Sequence, residues 1–384
     1  MRSGNSTHIP TPLAISRPVC YAKENEIGGE SMAIHFSKDR MAQVLENHDR
    51  WWRGELGRPL VKVFIENAYP AENCGTALLS QENCTDFTIS PEQIIDAFDH
   101  SLSRMEYLGD AFPMVSFDSF GPGVLAAFCG AELDNSSGRV WFFPKEELPI
   151  ENIHVRYDPE NIYARRIKQI YRAGLEKWEG SVILGLPDLG GVMDVAATLR
   201  GSENLLLDLY DEPEEVLRLN QEIQTAWYDA YNDFSQVLAP QKCYTDWNGI
   251  LSSQPSYVLQ CDFCYMISNP MFRQFVLETL REDTQRLTNT IYHLDGIGQL
   301  NHLDDLLSLE NLRAVQWVPG MGKAPTHEWM DVYKKIQVAG KHSMIIGDPE
   351  SYFAILNEVH GTPFCAHSVQ ATQLDLAQKL INAR

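Results

Sequence analysis

The strongest constraint on the fold is an alternation of short apolar runs with longer amphipathic stretches along most of the chain. The runs are rich in apolar or β-branched residues and usually stop at Gly, Pro, Asp or Asn, as the buried strands of a parallel sheet do. They cover residues 61–68, 112–119, 181–188, 242–249, 289–296, 313–320, 342–349 and 364–369. Strands that alternate with helices predict parallel βα units, and eight of them favour a closed (β/α)8 barrel. An open doubly wound sheet is the alternative, although no GxGxxG motif follows the first run.

The best-defined predicted helices cover residues 211–238, 269–289 and 326–340. Asp211 is the expected N-cap of the first helix, with Pro213 in its first turn. Gly340 follows the last helix, as expected of a glycine at a helix C-terminus. The helices and runs together leave no low-complexity linker, so we expect one elaborated domain over residues 32–384, preceded by a disordered extension over residues 1–31.

The charge balance limits the partners that the chain can bind. The 384 residues include 52 acidic and 31 basic side chains, which gives a formal net charge of −21. Such a surface repels phosphate backbones and anionic membranes, so neither nucleic acid nor a membrane is an expected partner. No apolar run approaches the ~18–20 residues of a membrane span. The scattered cysteines are typical of thiols in a cytoplasmic protein rather than of a disulfide framework.

Polar residues concentrate where the predicted strands end, which in a barrel is where chemistry occurs. These residues are Asp118, Asp188, Asp246 with Trp247, His293 with Asp295, Trp317 and Asp348. Because side chains alternate along a strand, His293 and Asp295 share one side and could grip a divalent metal. Alternatively, the carboxylate could hold the histidine in one tautomer by hydrogen bonds.

Cysteines supply two further patterns. Cys365 and His367 share one side of the last predicted strand, where a thiolate or an imidazole could complete a zinc site. Cys261 and Cys264 form a CxxC pair, but residues three apart on a strand would face opposite sides. No second CxxC exists to complete a four-cysteine site.

Five segments in the same order resemble the uroporphyrinogen decarboxylase superfamily. They are "FDSFGPGVLAAFCGAEL", "LGLPDLGGVMDVAATLRGSENLLLDLYDEPEEV", "QCDFCYMISNPMFRQFV", "YHLDGIGQLNHLDDLLSLENLRAVQW" and "CAHSVQATQLDLAQKL". The superfamily contains decarboxylases and corrinoid-linked methyltransferases, so the resemblance implies a (β/α)8 TIM barrel of the uroporphyrinogen decarboxylase/methionine synthase-like type. The arginine-rich signature of the decarboxylase is missing from "DRWWRGELGRPLV". The resemblance is therefore closer to the methyltransferase branch.

In that branch a His-x-Cys motif and a late cysteine hold zinc. By resemblance His293 occupies the histidine position, Asp295 replaces the first cysteine, and Cys365 lies near the second, with His367 as the competing register. A carboxylate makes zinc harder and more Lewis acidic than a second thiolate would.

The resemblance therefore implies a methyltransferase that moves a methyl group between a small methylated substrate and a corrinoid carried by a partner protein. The expected metal ligands are His293, Asp295 and Cys365; the expected catalytic residues are Asp118, Asp246, Asp262 and His367; the expected substrate-binding residues are Trp247, Trp317, Tyr265 and Arg53.

Two alternatives stay open at this point. One is a metal-independent decarboxylase or lyase that uses Asp118, which matches the strand-end aspartate of the decarboxylase, together with His367. The other is a non-catalytic barrel that binds a small ligand or a corrinoid protein. The oligomeric state is also open, with a homodimer as one candidate.

Overall fold

The computed structural model describes residues 34–70, 75–359 and 363–383. The predicted extension over residues 1–31 lies outside the described residues, and the single-domain organisation stays a prediction. The described part is a mixed α/β structure in which parallel strands alternate with helices along the chain. None of its helices combines the length and the apolar character that a bilayer crossing requires.

The strands form three sheets. They are β1 Leu60–Glu66, β2 Glu106–Gly109, β3 Met114–Val115, β4 Glu132–Asp134, β5 Trp141–Phe143, β6 Ile183–Leu184, β7 Ser256–Gln260, β8 Asn289–Asp295, β9 Ala314–Val318, β10 His342–Ile345 and β11 Phe364–Gln370. The main sheet has the order β2-β1-β11-β10-β9-β8-β7, in which only β2 is antiparallel. Strands β3 and β6 form a separate parallel pair, and β4 and β5 an antiparallel pair. Among the described residues these sheets do not join into a closed ring, so the predicted barrel is not seen as a continuous sheet.

The helices fill most of the sequence between the strands. They are α1 Lys38–Trp52, α2 Pro91–Ser103, α3 Leu125–Phe128, α4 Ile162–Trp178, α5 Val192–Arg200, α6 Ser202–Asp211, α7 Pro213–Leu238, α8 Asn269–Phe272, α9 Glu278–Arg286, α10 Leu303–Leu307, α11 Met330–Val338, α12 Pro349–Glu358 and α13 Leu374–Asn382. A π-helical stretch, Arg273–Leu277, joins α8 to α9. The predicted N-cap at Asp211 is wrong, because that residue ends α6 and the next helix starts at Pro213.

The predicted strand over residues 242–249 is also wrong. This segment contributes one isolated antiparallel bridge, between Tyr244 and Ser252, and then turns. The amide of Asn248 donates to the Asp246 carboxylate at 2.9 Å, and the amide of Ile250 donates to the Asn248 side chain at 2.7 Å. Such Asx turns compete with strand pairing. The strand of this region is instead β7, which the sequence analysis missed.

The main sheet has two chemically different faces. His293, Gln316 and Met344 are register partners on β8, β9 and β10, and they define what we call the inner face. Their neighbours along the strands, Leu294 and Trp317 among them, point the other way. We call that side the helix face because Trp317 packs there against Trp329, next to α11, with ring centroids 5.4 Å apart.

Candidate metal centre

Three side chains converge at the carboxyl ends of neighbouring strands. His293 and Asp295 lie at the carboxyl end of β8, and Asp262 begins the 3-10 turn Asp262–Met266 that follows β7. One ligand atom from each of the three residues lies within 4.8 Å of the other two. Strand alternation places the first two on one side, as predicted, and the parallel pairing of β7 with β8 brings the third beside them.

Gln316 fixes the orientation of the His293 ring. The ring Nδ1 donates to the side-chain oxygen of Gln316, whose amide nitrogen in turn donates to the Met344 sulfur at 3.0 Å. The other ring nitrogen, Nε2, lies 3.8 Å from a carboxylate oxygen of Asp295. A proton held on Nδ1 leaves the Nε2 lone pair free, which is the form of histidine that binds a metal.

Burial lowers the pKa of His293, although Asp295 and Gln316 act in the opposite direction. The imidazole is therefore neutral at physiological pH and available as a ligand. Although Asp262 is exposed at the surface, desolvation by the surrounding protein raises the pKa of its carboxyl group to about 6, and the negative charge of Asp295 adds to the rise. Two carboxylates that repel each other beside a neutral imidazole are stabilised by a cation.

Asp194, which the sequence analysis missed, holds the turn that carries Asp262. This residue lies in the first turn of α5, and one of its carboxylate oxygens accepts from the Phe263 amide at 2.9 Å. Burial and the charge of Asp262 raise its pKa to about 7. The loop before α5 has no room for a side chain, since a Cβ on Gly191 would lie 2.1 Å from the carbonyl oxygen of Gln260.

Further acids lie deeper on the same side. Gln260, the register partner of His293, donates to Asp188 at 3.4 Å. Burial raises the pKa of Asp188 to about 8, and the charges of Asp262, Asp246 and Asp118 contribute to the rise. Burial alone raises the pKa of Asp246 to about 7.

These acids include predicted catalytic residues. Burial also raises the pKa of Asp118, which begins the 3-10 turn Asp118–Phe120 after β3. The structure thus brings Asp118, Asp246 and Asp262 into one electrostatically connected group around Asp188. At neutral pH some of these carboxyl groups keep a proton.

Aromatic side chains border the three converging residues. The Trp247 ring meets the His293 ring edge-on, with centroids 5.2 Å apart. The half-exposed ring of Tyr265 packs against the loop after β8. A Cβ atom on Gly296 of that loop would lie 3.0 Å from the ring, and a Cβ atom on Gly298 would lie 2.8 Å from it. Both Trp247 and Tyr265 therefore lie beside the cluster, and their role in substrate binding stays a prediction.

The prediction that Trp317 lines the pocket is wrong. Trp317 is fully buried on the helix face, because it is the register partner of Leu294 rather than of His293. Arg53 is also misplaced. It follows Trp51, whose ring packs on His342 and Phe364, the first residues of β10 and β11, at the amino ends of the strands. There it pairs with Glu55 at 2.7 Å.

Cys365 does not join the predicted metal ligands. It pairs in register with Ile345, which pairs with Trp317 and through it with Leu294, so its sulfur points to the helix face. It is fully buried there, beside Tyr352 of α12.

His367, two residues further along β11, lies on the same side. Its ring centroid is 5.5 Å from that of Tyr352. Neither the late thiol nor the competing histidine faces His293, and the decarboxylase alternative loses His367 for the same reason.

The donor set that remains, one imidazole and two carboxylates, suits a borderline or hard divalent ion. Zinc accepts such ligands in catalytic sites with a fourth position open, whereas thiolates dominate its structural sites. The residues present therefore fit zinc without the thiolate that the sequence analysis expected, with Asp262 in its place.

Comparisons with known proteins give one informative result. No protein-family model matches the chain, and no curated protein matches its sequence. Among solved structures, a methyltransferase from Methanosarcina mazei superposes with a TM-score of 0.56 at 13% sequence identity. The match covers 88% of this chain and 97% of that chain. At this identity the likeness establishes a shared fold.

Proposed function

We propose that the chain is a metal-dependent methyltransferase, which moves a methyl group between a small methylated substrate and a corrinoid carried by a partner protein. The observation that carries the proposal is the convergence of Asp262, His293 and Asp295 within 4.8 Å. The fold shared with a methyltransferase supports methyl transfer as the reaction class. The corrinoid follows from the sequence resemblance to the uroporphyrinogen decarboxylase superfamily.

We also propose that the strands belong to a (β/α)8 barrel. Strands β1 and β7–β11 in the main sheet, with β3 and β6 in the small ladder, make eight parallel strands. The segment around Asp246 supports closure beyond β7. Leu186, next to β6, donates to the Thr245 carbonyl at 2.8 Å, and Val258 of β7 donates to the Asp246 carboxylate at 2.8 Å. The metal centre then lies at the carboxyl-terminal mouth, where such barrels carry their active sites.

In this proposal His293, Asp262 and Asp295 would hold zinc, which when bound would supply a Lewis acid for the heteroatom of the methylated substrate. Burial keeps the imidazole neutral, and the hydrogen bond to Gln316 orients the ring. The buried indole N–H of Trp247 has no hydrogen-bond partner among the described residues and could donate to the substrate.

One of the acids beneath the cluster, Asp188, holds a proton at neutral pH. The carboxyl group of Asp188, with a pKa raised to about 8 by burial, is protonated. A protonated carboxyl group can donate to a leaving heteroatom as its methyl group departs, as a general acid does. Its carboxylate would be reprotonated from water in the next cycle.

Exposed apolar side chains at the mouth support docking of the partner that carries the corrinoid. Tyr265 and Met266 are 49% and 50% exposed, and Met321 is 66% exposed. The loop that holds Met321 lies against the loop after β8, since a Cβ on Gly320 would lie 3.8 Å from the Cα of Gly296. Such side chains around a reaction site are typical of a surface that a partner covers.

Demethylation of methylcobalamin tests the proposal. The purified protein, loaded with zinc, is mixed with methylcobalamin and a panel of small thiols, amines and phenols, and the corrinoid absorbance is followed. We expect demethylation with at least one acceptor class and a rate at least ~100-fold lower in His293→Ala. The exposed helix variant Asp331→Asn is the matched control and keeps the wild-type rate. Equal rates in wild type and His293→Ala would exclude the proposed role of the metal centre.

A further inference from the structure

Two neighbouring loops carry the acidic ligands of the proposed metal centre, and these loops contact each other through two rings. The first loop is the 3-10 turn Asp262–Met266 after β7, and the second is the 3-10 segment Ile297–His302 after β8. The ring of Tyr265 packs from the first loop onto the second, and the ring of His302 reaches from the second loop to the first. We call these two ring contacts the interlock.

His302 makes the buried contact of the interlock. The residue is 0% exposed, and its ring nitrogen Nε2 lies 3.0 Å from the carbonyl oxygen of Cys264. Because a carbonyl oxygen only accepts, Nε2 carries the proton and donates. The Ile267 amide donates to the same carbonyl at the longer distance of 3.4 Å. Cys264 lies in the turn and not on a strand, so strand alternation does not describe the CxxC pair.

Neighbouring helices fix the direction in which His302 donates. Its ring stacks on Phe272 of α8, with ring centroids 4.4 Å apart and planes 10° from parallel. Close by, Arg273 of the π-helical stretch donates to Asp305 of α10 at 2.9 Å. Both contacts join the segment after β7 to the segment after β8. The Cys264 carbonyl, and with it the turn, is therefore held at a defined position relative to β8.

The turn after β7 has to be held against a repulsion. Ligand atoms of Asp262 and Asp295 lie within 4.8 Å of each other, and two carboxylates at this separation repel each other in the absence of a cation. On the side of α5 the turn is held by the Phe263 amide, which donates to Asp194 at 2.9 Å. On the side of α10 it is held by His302.

We propose that His302 is a positioning residue of the metal centre. Its hydrogen bond to the Cys264 carbonyl holds the turn after β7 against the loop after β8, and so keeps Asp262 within reach of an ion bound to His293 and Asp295. The effect on metal binding rests on the proposed function, whereas the interlock itself requires no metal.

Substitutions at two buried histidines test this role, with zinc affinity measured by titration calorimetry. His302→Leu removes the donor, and we expect it to weaken zinc binding ~10–100-fold. His302→Gln keeps an N–H donor and should restore an affinity close to that of the wild type. His48→Leu is the matched control and should keep the wild-type affinity. His48 is also fully buried, with its Nε2 3.0 Å from the Asp110 carbonyl oxygen, but it lies beside the start of β1.

A measurement on the wild type requires no variant to fold. In protein labelled with ¹⁵N-histidine, NMR should detect a slowly exchanging proton on Nε2 of His302, because that nitrogen donates inside the protein. A proton on Nδ1 instead would overturn the proposal.

Two calorimetric results would also overturn it: equal zinc affinity in wild type and His302→Leu, or a loss of the same size in His48→Leu. If the wild type binds no zinc, the proposed function fails, and the interlock is then judged on the metal-free protein by hydrogen exchange at the Phe263 amide. Exchange at least ~10-fold faster in His302→Leu, with the wild-type rate in His302→Gln, supports the interlock. Unchanged exchange in His302→Leu overturns it.

Discussion

His293 and Gln316 are register partners on adjacent parallel strands, and the histidine Nδ1 donates to the glutamine side-chain oxygen across the ladder. Gln316 is fully buried and is itself held by the Met344 sulfur. This contact links the register of the strands to metal binding, because it determines which ring nitrogen of His293 is free to bind a metal at the carboxyl end of the sheet.

Removal of this contact should weaken the metal centre without removing a ligand. In Gln316→Ala the His293 ring loses the acceptor that fixes its tautomer, so we expect zinc affinity to fall ~10–100-fold. Titration calorimetry measures the change. Gln299→Ala is the matched control, since Gln299 is a buried glutamine whose side chain accepts from Tyr292 at 3.2 Å. Equal losses in both variants would mean that the effect is not specific to His293.

Zinc affinity should depend on pH through Asp262. Desolvation by the surrounding protein and the charge of Asp295 raise the pKa of Asp262 to about 6, so below that pH the ion must displace a proton. Affinity is therefore expected to fall by up to ~10-fold per pH unit below pH ~6 and to level off above it. The measurement is calorimetry from pH 5 to pH 8. The titrations use cacodylate or other buffers that do not bind zinc. A zinc affinity that does not change with pH would contradict the role of Asp262.

Global stability should fall as the pH rises, because buried acids keep their protons in the folded state. The pKa of Asp188 is raised to about 8 by burial, whereas an unfolded aspartate has a pKa of about 3.9. Between these values the folded chain holds a proton that the unfolded chain has released, so stability is lost from pH ~4 to pH ~8. We expect Asp188→Asn to raise the melting temperature at pH 8.5 by at least ~2 °C. Asp331→Asn should leave it unchanged.

The loop before α5 should not tolerate a methyl group at Gly191. A Cβ there would lie 2.1 Å from the backbone oxygen of Gln260, which cannot move without the strand. We expect Gly191→Ala to cost about 1–3 kcal/mol of unfolding free energy in urea titrations. Gly185→Ala is the control, because its Cβ would meet the flexible end of Met114 at 3.0 Å. A smaller cost at Gly191 than at Gly185 would contradict the packing argument.

The sequence predicted most of the strands because a buried parallel strand is a short apolar run with a sharp end. It misplaced the strand near residue 245, because Asx turns at Asp246 and Asn248 interrupt a run that looks apolar. It missed β7, in which Ser256 and Gln260 dilute the apolar signal. Ladder closure depends on hydrogen bonds between distant strands, which no local pattern encodes.

For the site, alternation along one strand was sufficient to pair His293 with Asp295. The alternation of side chains along one strand does not show which face of the sheet a residue on another strand points to. Whether Cys365 shares a face with His293 follows only from the register through β9 and β10. Asp262 was expected to be catalytic rather than ligating. Its position depends on a turn held by Asp194, a contact between residues far apart in the sequence.

The most direct test of the proposed metal centre is a crystal structure of the protein grown with zinc and recorded at the zinc absorption edge. We predict one anomalous peak ~2.0–2.2 Å from Nε2 of His293 and from one oxygen each of Asp262 and Asp295. An empty site between these residues in zinc-saturated crystals, or an ion bound instead at Cys365, would contradict this prediction.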